Sequence, residues 1–229
     1  MKLKAILFDL DGTLLDTAPD FIFCANQLRQ QLGKPALSEG AIRAQVSNGA
    51  RAMTRLVGDL TEGDPAIDAL NCQLLAIYQE VLGQNSTLFP GFPASLRWIA
   101  EQGLAWGVIT NKPSRFTLPL VEQLDVPSAP STVVCPDHVS RSKPDPEPML
   151  LACQQCGCSP TEAIYFGDHA RDIEAGRAAG MLTVACEWGY IAPSENIDHW
   201  AADFRLASAH EIPALITQIS QQQLATQTV

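Results

Sequence analysis

The sequence predicts an α/β fold, a doubly wound parallel sheet with a small α-helical domain inserted after its first strand. Two observations carry this prediction. Short, continuously apolar runs alternate with helical patterns along most of the chain, whereas one stretch near the N-terminus carries helical patterns alone. Continuously apolar runs are typical of parallel strands that are covered on both faces. Their alternation with helices indicates right-handed β–α–β crossovers.

The sheet is predicted from short apolar runs that serve as its strands, at residues 4–8, 104–110, 132–135, 163–166 and 182–186. Helical patterns fall between them at residues 92–102, 115–123, 148–156 and 172–179. A last strand at 204–207 and a final helix at 211–220 complete the prediction.

The inserted domain is predicted over residues 16–87, and the α/β core over residues 1–15 and 88–229. Two stripes of apolar residues recur at helical spacing in the insert, namely Phe21, Ala25, Leu28 and Leu32, then Ile67, Leu70, Leu74, Ile77 and Val81. Pro19 and the stretch 83–86 flank it as helix breakers. Because the insert leaves from the carboxyl end of the first strand, we expect it to cover that edge of the sheet.

Length, composition and charge limit the classes of function that the chain can have. The 229 residues are 46% hydrophobic, which is enough for one sizeable core and a small accessory domain. The formal net charge of −10 opposes binding to nucleic acid or to an anionic membrane surface. An anionic small molecule would need local cations. With no signal-peptide core and no apolar run long enough to cross a bilayer, we expect a cytoplasmic protein, either a monomer or a weak homodimer.

The chain has seven cysteines, an odd number, and shows no secretory signal, which together indicate reduced thiols. Cys153, Cys156 and Cys158 are closely spaced, so a metal or redox site is one interpretation. A zinc site needs four ligands, however, and no second cysteine pair follows at a useful spacing. The three residues end a predicted helix, and we favour packing roles for them.

Four polar motifs follow predicted strands or the turns between them. They are Asp9 and Asp11 after the first strand, Thr110 and Asn111 after the second, Lys143 in a Ser-Lys-Pro-Asp turn, and Asp168 with Asp172 at the start of a helix. Each motif alone has an ordinary interpretation as a turn, a strand end, a helix cap or a solvated lysine. Together they favour catalysis, because open α/β sheets build their sites at the carboxyl edge.

Several carboxylates at one edge repel one another. At ~4 Å and an effective dielectric constant near 20, each like-charged pair costs about 4 kcal/mol. A hard divalent cation relieves this repulsion, and oxygen ligands with few protein contacts suit Mg²⁺. The sequence therefore predicts Mg²⁺ as the cofactor.

The four motifs resemble those of the haloacid dehalogenase-like superfamily, in the same order and on the same elements. The resemblance implies that the Asp9 side chain, the Asp11 carbonyl and the Asp168 side chain hold Mg²⁺, while Asp172 orients their shell. It implies that Asp9 is the nucleophile that attacks phosphorus and that Asp11 is the acid and base for the leaving group and water.

The same resemblance implies roles for the other two motifs. Thr110 and the backbone amide of Asn111 would hold phosphate oxygens, and Lys143 would offset the charge on Asp9 and the transferring phosphoryl group. His169 departs from the pattern, because a second acid is common at that position in relatives. We favour a neutral or exposed loop histidine over a catalytic one.

The insert resembles the helical cap of phosphoglycolate-phosphatase-like enzymes. A cap can close over the site, exclude water and contact the leaving group. Its candidate contact segment is 47–51, in which Gly49 permits close approach and Asn48 and Arg51 offer polar groups to the substrate. A plain helix start with an exposed arginine explains the segment equally well.

Runs at 106–113, 135–139, 142–148 and 189–191 are similar to bacterial enzymes that hydrolyse N-acetylmuramic acid 6-phosphate in cell-wall recycling. The resemblance thus implies a phosphatase for this small-molecule substrate. Alternatives are a phosphoglycolate phosphatase and a sugar-phosphate mutase, which would return the phosphoryl group to its substrate. Asp11 argues against a dehalogenase. The presence of all four motifs argues against a module that only binds.

Overall fold

The computed structural model describes residues 2–226, with side chains for residues 2–222. The strands are β1 (Ala5–Phe8), β2 (Leu15–Asp16), β3 (Thr87–Leu88), β4 (Ala105–Ile109), β5 (Thr132–Val134), β6 (Ala163–Gly167), β7 (Leu182–Cys186) and β8 (Phe204–Leu206). The α-helices are α1 (Ala18–Gln31), α2 (Glu39–Val46), α3 (Ala50–Gly58), α4 (Ile67–Val81), α5 (Phe92–Glu101), α6 (Ser114–Glu122), α7 (Glu147–Cys156), α8 (Ala170–Ala179) and α9 (Ile212–Thr226).

Six strands form one parallel sheet in the order β5-β4-β1-β6-β7-β8. The predicted α/β fold with a parallel sheet is confirmed. β1 lies at the centre, where Phe8 is in register with Val108 of β4 and with Phe166 of β6. The chain therefore reverses its direction of travel across the sheet beside β1, and such a switch point leaves a crevice at the carboxyl edge.

Both faces of the sheet are covered, which explains why its central strand is apolar throughout. Along β1, Ile6 and Phe8 pack into the same cluster as residues of α5 and α9, whereas Ala5 and Leu7 pack with residues of α7 and α8. Phe8 meets Phe92 of α5 edge-on, with ring centroids 5.3 Å apart. Alternate side chains of a strand point to opposite faces, so a strand between two helical layers has no polar face.

The helices α1–α4 lie between two short strands that pair antiparallel, with Leu15 opposite Leu88 and Asp16 opposite Thr87. We call residues 16–87 the cap. This two-stranded ribbon was not predicted, because strands of two residues are too short to show an alternating pattern. Leu32, which was counted in the first helical stripe, is 40% exposed because α1 ends at Gln31.

The two ends of the cap are joined by a buried carboxylate. Asp20, in the first turn of α1, accepts hydrogen bonds from the backbone amides of Gly83 and Asn85, each at 2.9 Å. It also accepts one from the Ser86 hydroxyl at 2.6 Å. The stretch that the sequence marked as a helix breaker is thus an ordered connection back to the core.

The three closely spaced cysteines pack beneath the sheet. Cys153 is buried in the cluster that includes α7, and Cys156 and Cys158 lie half-buried against that cluster. Burial raises the pKa of the Cys153 thiol, which favours the protonated form. None of the helices in residues 2–226 has the length and apolar character needed to cross a bilayer.

Candidate active site

The carboxyl ends of the three central strands bring the predicted motifs together. Asp9 follows β1 directly, Thr110 follows β4, and Asp168 follows β6. Because β4 and β6 pair with β1 on either side, these residues start from adjacent points on one edge of the sheet.

Three carboxylates converge at this edge. Asp9, Asp168 and Asp172 each offer an oxygen, and these oxygens lie within 4.8 Å of one another. Burial raises the pKa of Asp9 to about 6, although the neighbouring Lys143 acts in the opposite direction. Burial, together with the carboxylates of Asp9 and Asp172, also raises the pKa of Asp168 well above its usual range. The Lys143 ammonium alone thus does not offset the charge of three ionised carboxylates.

This cluster fits a hard divalent cation. All three donors are carboxylate oxygens, the ligand type that Mg²⁺ prefers. Asp9 Oδ1 is buried and contacts Lys143 Nζ at 2.9 Å, and a carboxylate oxygen has two lone pairs, so this contact still leaves one for a ligand. A cation would also favour the ionised forms of acids whose pKa values burial has raised.

Two glycines make room for Asp168. At Gly12 and at Gly189, a Cβ atom would collide with the Asp168 side chain. Gly12 also has φ of +85°, a left-handed conformation that favours glycine. Asp168 accepts hydrogen bonds from the Thr13 hydroxyl at 3.2 Å and from the Tyr190 backbone amide at 2.8 Å. These contacts fix the orientation of the carboxylate.

Lys143 is the cation of the cluster. Its Nζ lies 2.6 Å from Asp172 Oδ1 and 2.9 Å from Asp9 Oδ1. It also donates hydrogen bonds to the Ile109 carbonyl at 2.9 Å and the Tyr165 hydroxyl at 2.8 Å. Burial alone would lower the pKa of Lys143, but the carboxylates of Asp172 and Asp9 outweigh it and raise the pKa, so the ammonium stays charged.

Asp11 has a separate cation. Lys112 Nζ lies 2.9 Å from Asp11 Oδ1, and the Thr17 hydroxyl donates to the same oxygen. The ammonium also lies over two aromatic rings of the cap, 5.0 Å from the Phe21 centroid and 4.7 Å from the Tyr78 centroid. Lys112 had no role predicted from the sequence. Its only signal was its place directly after Thr110 and Asn111.

The second motif is held in place by local hydrogen bonds. Thr110 is buried, and its hydroxyl accepts a hydrogen bond from the backbone amide of Lys112 at 3.2 Å. The Asn111 side-chain amide donates to the Lys143 carbonyl at 2.9 Å, which ties two motifs together. Thr110, Asn111 and Lys143 all line the same pocket.

The pocket lies between the core and the cap and has a volume of about 170 Å³. The core lines it with Asp9, Asp11, Thr110, Asn111, Lys112, Pro113, Arg115, Phe116, Lys143, His169, Arg171 and Asp172. The cap lines it with Phe21, Val46, Ser47, Gly49, Ala50, Leu75 and Tyr78. The Ser47 hydroxyl reaches Asp168 at 3.4 Å, so the cap touches the acid cluster directly.

The structure brings only part of the predicted cap segment to the pocket. Gly49 lines it, with φ of +84° in the turn between α2 and α3. Arg51 instead forms an exposed ion pair with Asp68 at 2.6 Å, outside the lining. Asn48 is exposed and donates to the Ala44 carbonyl. Arg51 and Asn48 thus lie outside the pocket lining, each with a partner elsewhere, and their contacts with substrate stay a prediction.

His169 begins helix α8. Its Nδ1 accepts a hydrogen bond from the backbone amide of Arg171 at 3.2 Å, and its ring stacks on Trp200 with centroids 6.4 Å apart. Burial lowers the pKa of His169, which favours the neutral imidazole. A neutral ring that caps a helix agrees with the non-catalytic interpretation.

The sequence profile of the haloacid dehalogenase-like hydrolases matches residues 6–186 of this chain. An N-acetylmuramic acid 6-phosphate phosphatase of Pseudomonas aeruginosa is 48% identical over 203 residues, which cover 89% of this chain and 90% of that protein. A phosphoglycolate phosphatase of Xanthomonas campestris pv. campestris is 36% identical over 200 residues, which cover 87% of this chain and 90% of that protein.

Among solved structures, one described as a predicted phosphoglycolate phosphatase from Haemophilus somnus superposes with a TM-score of 0.82 at 25% identity. The match covers 94% of this chain and 98% of that one. The likeness therefore extends over the core and the cap together.

Proposed function

The chain belongs to the haloacid dehalogenase-like hydrolases and is a phosphatase, and from this premise we propose that it hydrolyses N-acetylmuramic acid 6-phosphate, through an aspartyl-phosphate intermediate and with Mg²⁺ bound. The chemistry is supported above all by one arrangement, the convergence of Asp9 with Asp168, Asp172 and Lys143 at the carboxyl edge of the sheet. The substrate is supported by the 48% identical relative.

In the first half of the reaction, a carboxylate oxygen of Asp9 attacks the phosphorus atom. The bond from phosphorus to the leaving oxygen breaks, and Asp11 gives that oxygen its proton. Lys143 lies 2.9 Å from Asp9 and offsets the charge gathered there. Thr110 and the backbone amide of Asn111, both in the lining, hold the phosphoryl oxygens.

In the second half, a water molecule attacks the phosphorus of the aspartyl phosphate. Asp11 takes a proton from this water, the bond between Asp9 and phosphorus breaks, and inorganic phosphate leaves. Splitting one difficult displacement into two easier ones is the advantage of a covalent intermediate. Thr17 and Lys112, which both contact Asp11, keep its carboxyl group in place through both halves.

Asp9, the Asp11 carbonyl and Asp168 would hold the Mg²⁺ ion, with Asp172 orienting its surroundings. When bound, the ion supplies charge neutralisation for the phosphoryl group and for the acid cluster. Asp168 is already oriented by Thr13 and Tyr190.

A second candidate substrate is 2-phosphoglycolate, which is favoured by the 36% identical relative. A mutase reaction would use the same acids but return the phosphoryl group to the substrate. Incubation with both phosphomonoesters, and measurement of inorganic phosphate against isomerised product, separates these functions. A clear preference for 2-phosphoglycolate would replace the substrate proposed here.

The nucleophile is tested by Asp9→Asn, which keeps the shape of the side chain but removes its negative charge. We expect kcat to fall by about 10⁴-fold or more, because the variant cannot form the covalent intermediate. In the wild type, a rapid quench in acid followed by mass spectrometry should trap a phosphorylated peptide that contains Asp9. Phosphate release by the variant at the wild-type rate would refute the mechanism.

A further inference from the structure

Two arginines in the pocket have no role in the mechanism above. Arg115 and Arg171 both line the pocket. Within the described part of the chain, neither guanidinium forms an ion pair or donates a hydrogen bond to another side chain. Arg115 has only the ring of Phe116 below it, at 4.6 Å from the centroid. Arg171 contacts His169 through its backbone amide alone.

Among the described residues, Arg97 and Arg177 also form no ion pair with a carboxylate, but of these four arginines only Arg115 and Arg171 line the pocket. The chain has 25 acidic and 15 basic residues. Most arginines pair with a carboxylate, namely Arg29, Arg43, Arg51, Arg55, Arg141 and Arg205. A site that leaves two guanidiniums without a carboxylate therefore keeps positive charge for an incoming anion.

The lysines of the pocket are already matched. Lys143 is paired with Asp9 and Asp172, and Lys112 is paired with Asp11. The reacting phosphoryl group belongs beside Asp9 and Lys143. The arginines are thus surplus to the charges that the reaction itself requires.

The position of the arginines separates them from the reacting phosphorus. Arg115 is the second residue of α6, which follows β4, and Arg171 is the second residue of α8, which follows β6. Since β4 and β6 flank β1, the two arginines start on opposite sides of Asp9. Arg115 is exposed and Arg171 half-buried, as expected for groups nearer the mouth of the pocket.

We propose that Arg115 and Arg171 bind a carboxylate on the leaving group, and that this phosphatase selects phosphomonoesters that carry one. The inference rests on the proposed function, whose two candidate substrates both have a carboxylate away from the phosphate. A guanidinium presents parallel N–H donors that match the two oxygens of a carboxylate, which a lysine ammonium does not. The arginines then set specificity, while Asp9 and Asp11 perform the chemistry.

Matched substrate pairs test this proposal. N-acetylmuramic acid 6-phosphate and N-acetylglucosamine 6-phosphate differ only in the lactyl ether that bears the carboxylate. In the two-carbon pair, 2-hydroxyethyl phosphate has a hydroxymethyl group where 2-phosphoglycolate has its carboxylate. We expect wild-type kcat/KM to be about tenfold or more higher for the carboxylated member of the preferred pair.

The variants Arg115→Met and Arg171→Met should lower kcat/KM for the carboxylated substrate by about 10- to 100-fold. They should leave kcat/KM for the partner that lacks the carboxylate within about twofold. Arg97→Met is the matched control, because Arg97 is an exposed arginine outside the pocket lining and its loss changes the net charge equally. We expect it to behave as the wild type on all four compounds.

Three results would overturn the carboxylate assignment. One is a wild type that does not distinguish the members of either pair, and another is an equal loss on both members in the arginine variants. The third is a sugar bisphosphate that outperforms the carboxylated substrates with the same dependence on the arginines, which would assign them to a second phosphate. Each presupposes phosphate release that depends on Asp9. Without such release from any compound, the proposed function itself fails, so the two failures are distinguishable.

Discussion

The core half of the pocket is lined largely by charged groups that hold one another in place, whereas the cap half is largely apolar. On the core side, Lys143 and Lys112 pair with the acids around them at 2.6–2.9 Å. On the cap side, residues such as Phe21, Leu75 and Tyr78 face the same space. The charged groups of the pocket therefore come from the core, and much of its apolar lining comes from the cap.

The difference explains how the two parts can work together. Burial strengthens the electrostatic interactions of the core with a phosphoryl group, because little water remains to screen them. The cap supplies that burial without adding charge of its own to the reacting centre. Lys112 belongs to both regions, since it pairs with Asp11 and lies against the cap rings of Phe21 and Tyr78.

The largest effect is expected where the core has most charge. Lys143→Met removes the cation between Asp9 and Asp172 and leaves two buried carboxylates without it. We expect kcat to fall by about 10³-fold and the free energy of unfolding to fall by about 3–5 kcal/mol. Steady-state phosphate release and urea unfolding measure these two quantities.

Lys4→Met is the matched control for that variant. Lys4 also pairs with a carboxylate, that of Glu162 at 2.9 Å, but its side chain is 53% exposed. Solvent screens such a pair, so activity and stability should both stay at the wild-type level. If Lys143→Met behaved like Lys4→Met, the buried charges of the core would not carry the catalysis proposed here.

An intermediate effect is expected at the link between the two regions. Lys112→Met keeps an unbranched apolar stem against Phe21 and Tyr78 but leaves Asp11 without its cation. We expect kcat to fall by about 10- to 100-fold, because the acid and base of the reaction loses a positioning contact. Measurement of kcat and KM with N-acetylmuramic acid 6-phosphate checks this.

Lys34→Met provides the comparison within the cap. Lys34 also pairs with a carboxylate, Asp59 at 3.0 Å, but it lies outside the lining of the pocket. Its loss should leave kcat and KM unchanged. An equal fall in kcat for both variants would show that the cap responds to any lost charge, and that the contact between Lys112 and Asp11 has no special role.

The core and the cap also differ in how much of each could be predicted from the sequence. Asp9, Thr110 and Asp168 were predictable because each follows a strand, and the ends of parallel strands share one edge. That argument needs only the strand pattern. Lys143 was identified from its Ser-Lys-Pro-Asp motif instead. Its contact with the Tyr165 hydroxyl was not predicted.

The cap offered no such constraint. Its helices could be predicted from their apolar stripes, but which residues of the turn between α2 and α3 enter the pocket depends on how the helices pack on the core. Gly49 enters and Arg51 does not. The contacts of Lys112 with Phe21 and Tyr78 join segments that are far apart in sequence, so no local pattern announces them.

The smallest effect is expected from Arg51, the cap arginine that the sequence offered as one candidate for substrate contact. Arg51→Met breaks an exposed ion pair with Asp68, in which the two side chains are 61% and 80% exposed. Such pairs contribute little, so the free energy of unfolding should change by about 0.5 kcal/mol or less. Because Arg51 lies outside the pocket lining, kcat/KM for N-acetylmuramic acid 6-phosphate should stay within about twofold of the wild type. A loss comparable to that expected for Arg171→Met would instead mean that the cap rearranges around substrate and turns Arg51 inward, so the division between a charged core and an apolar cap would hold only without substrate.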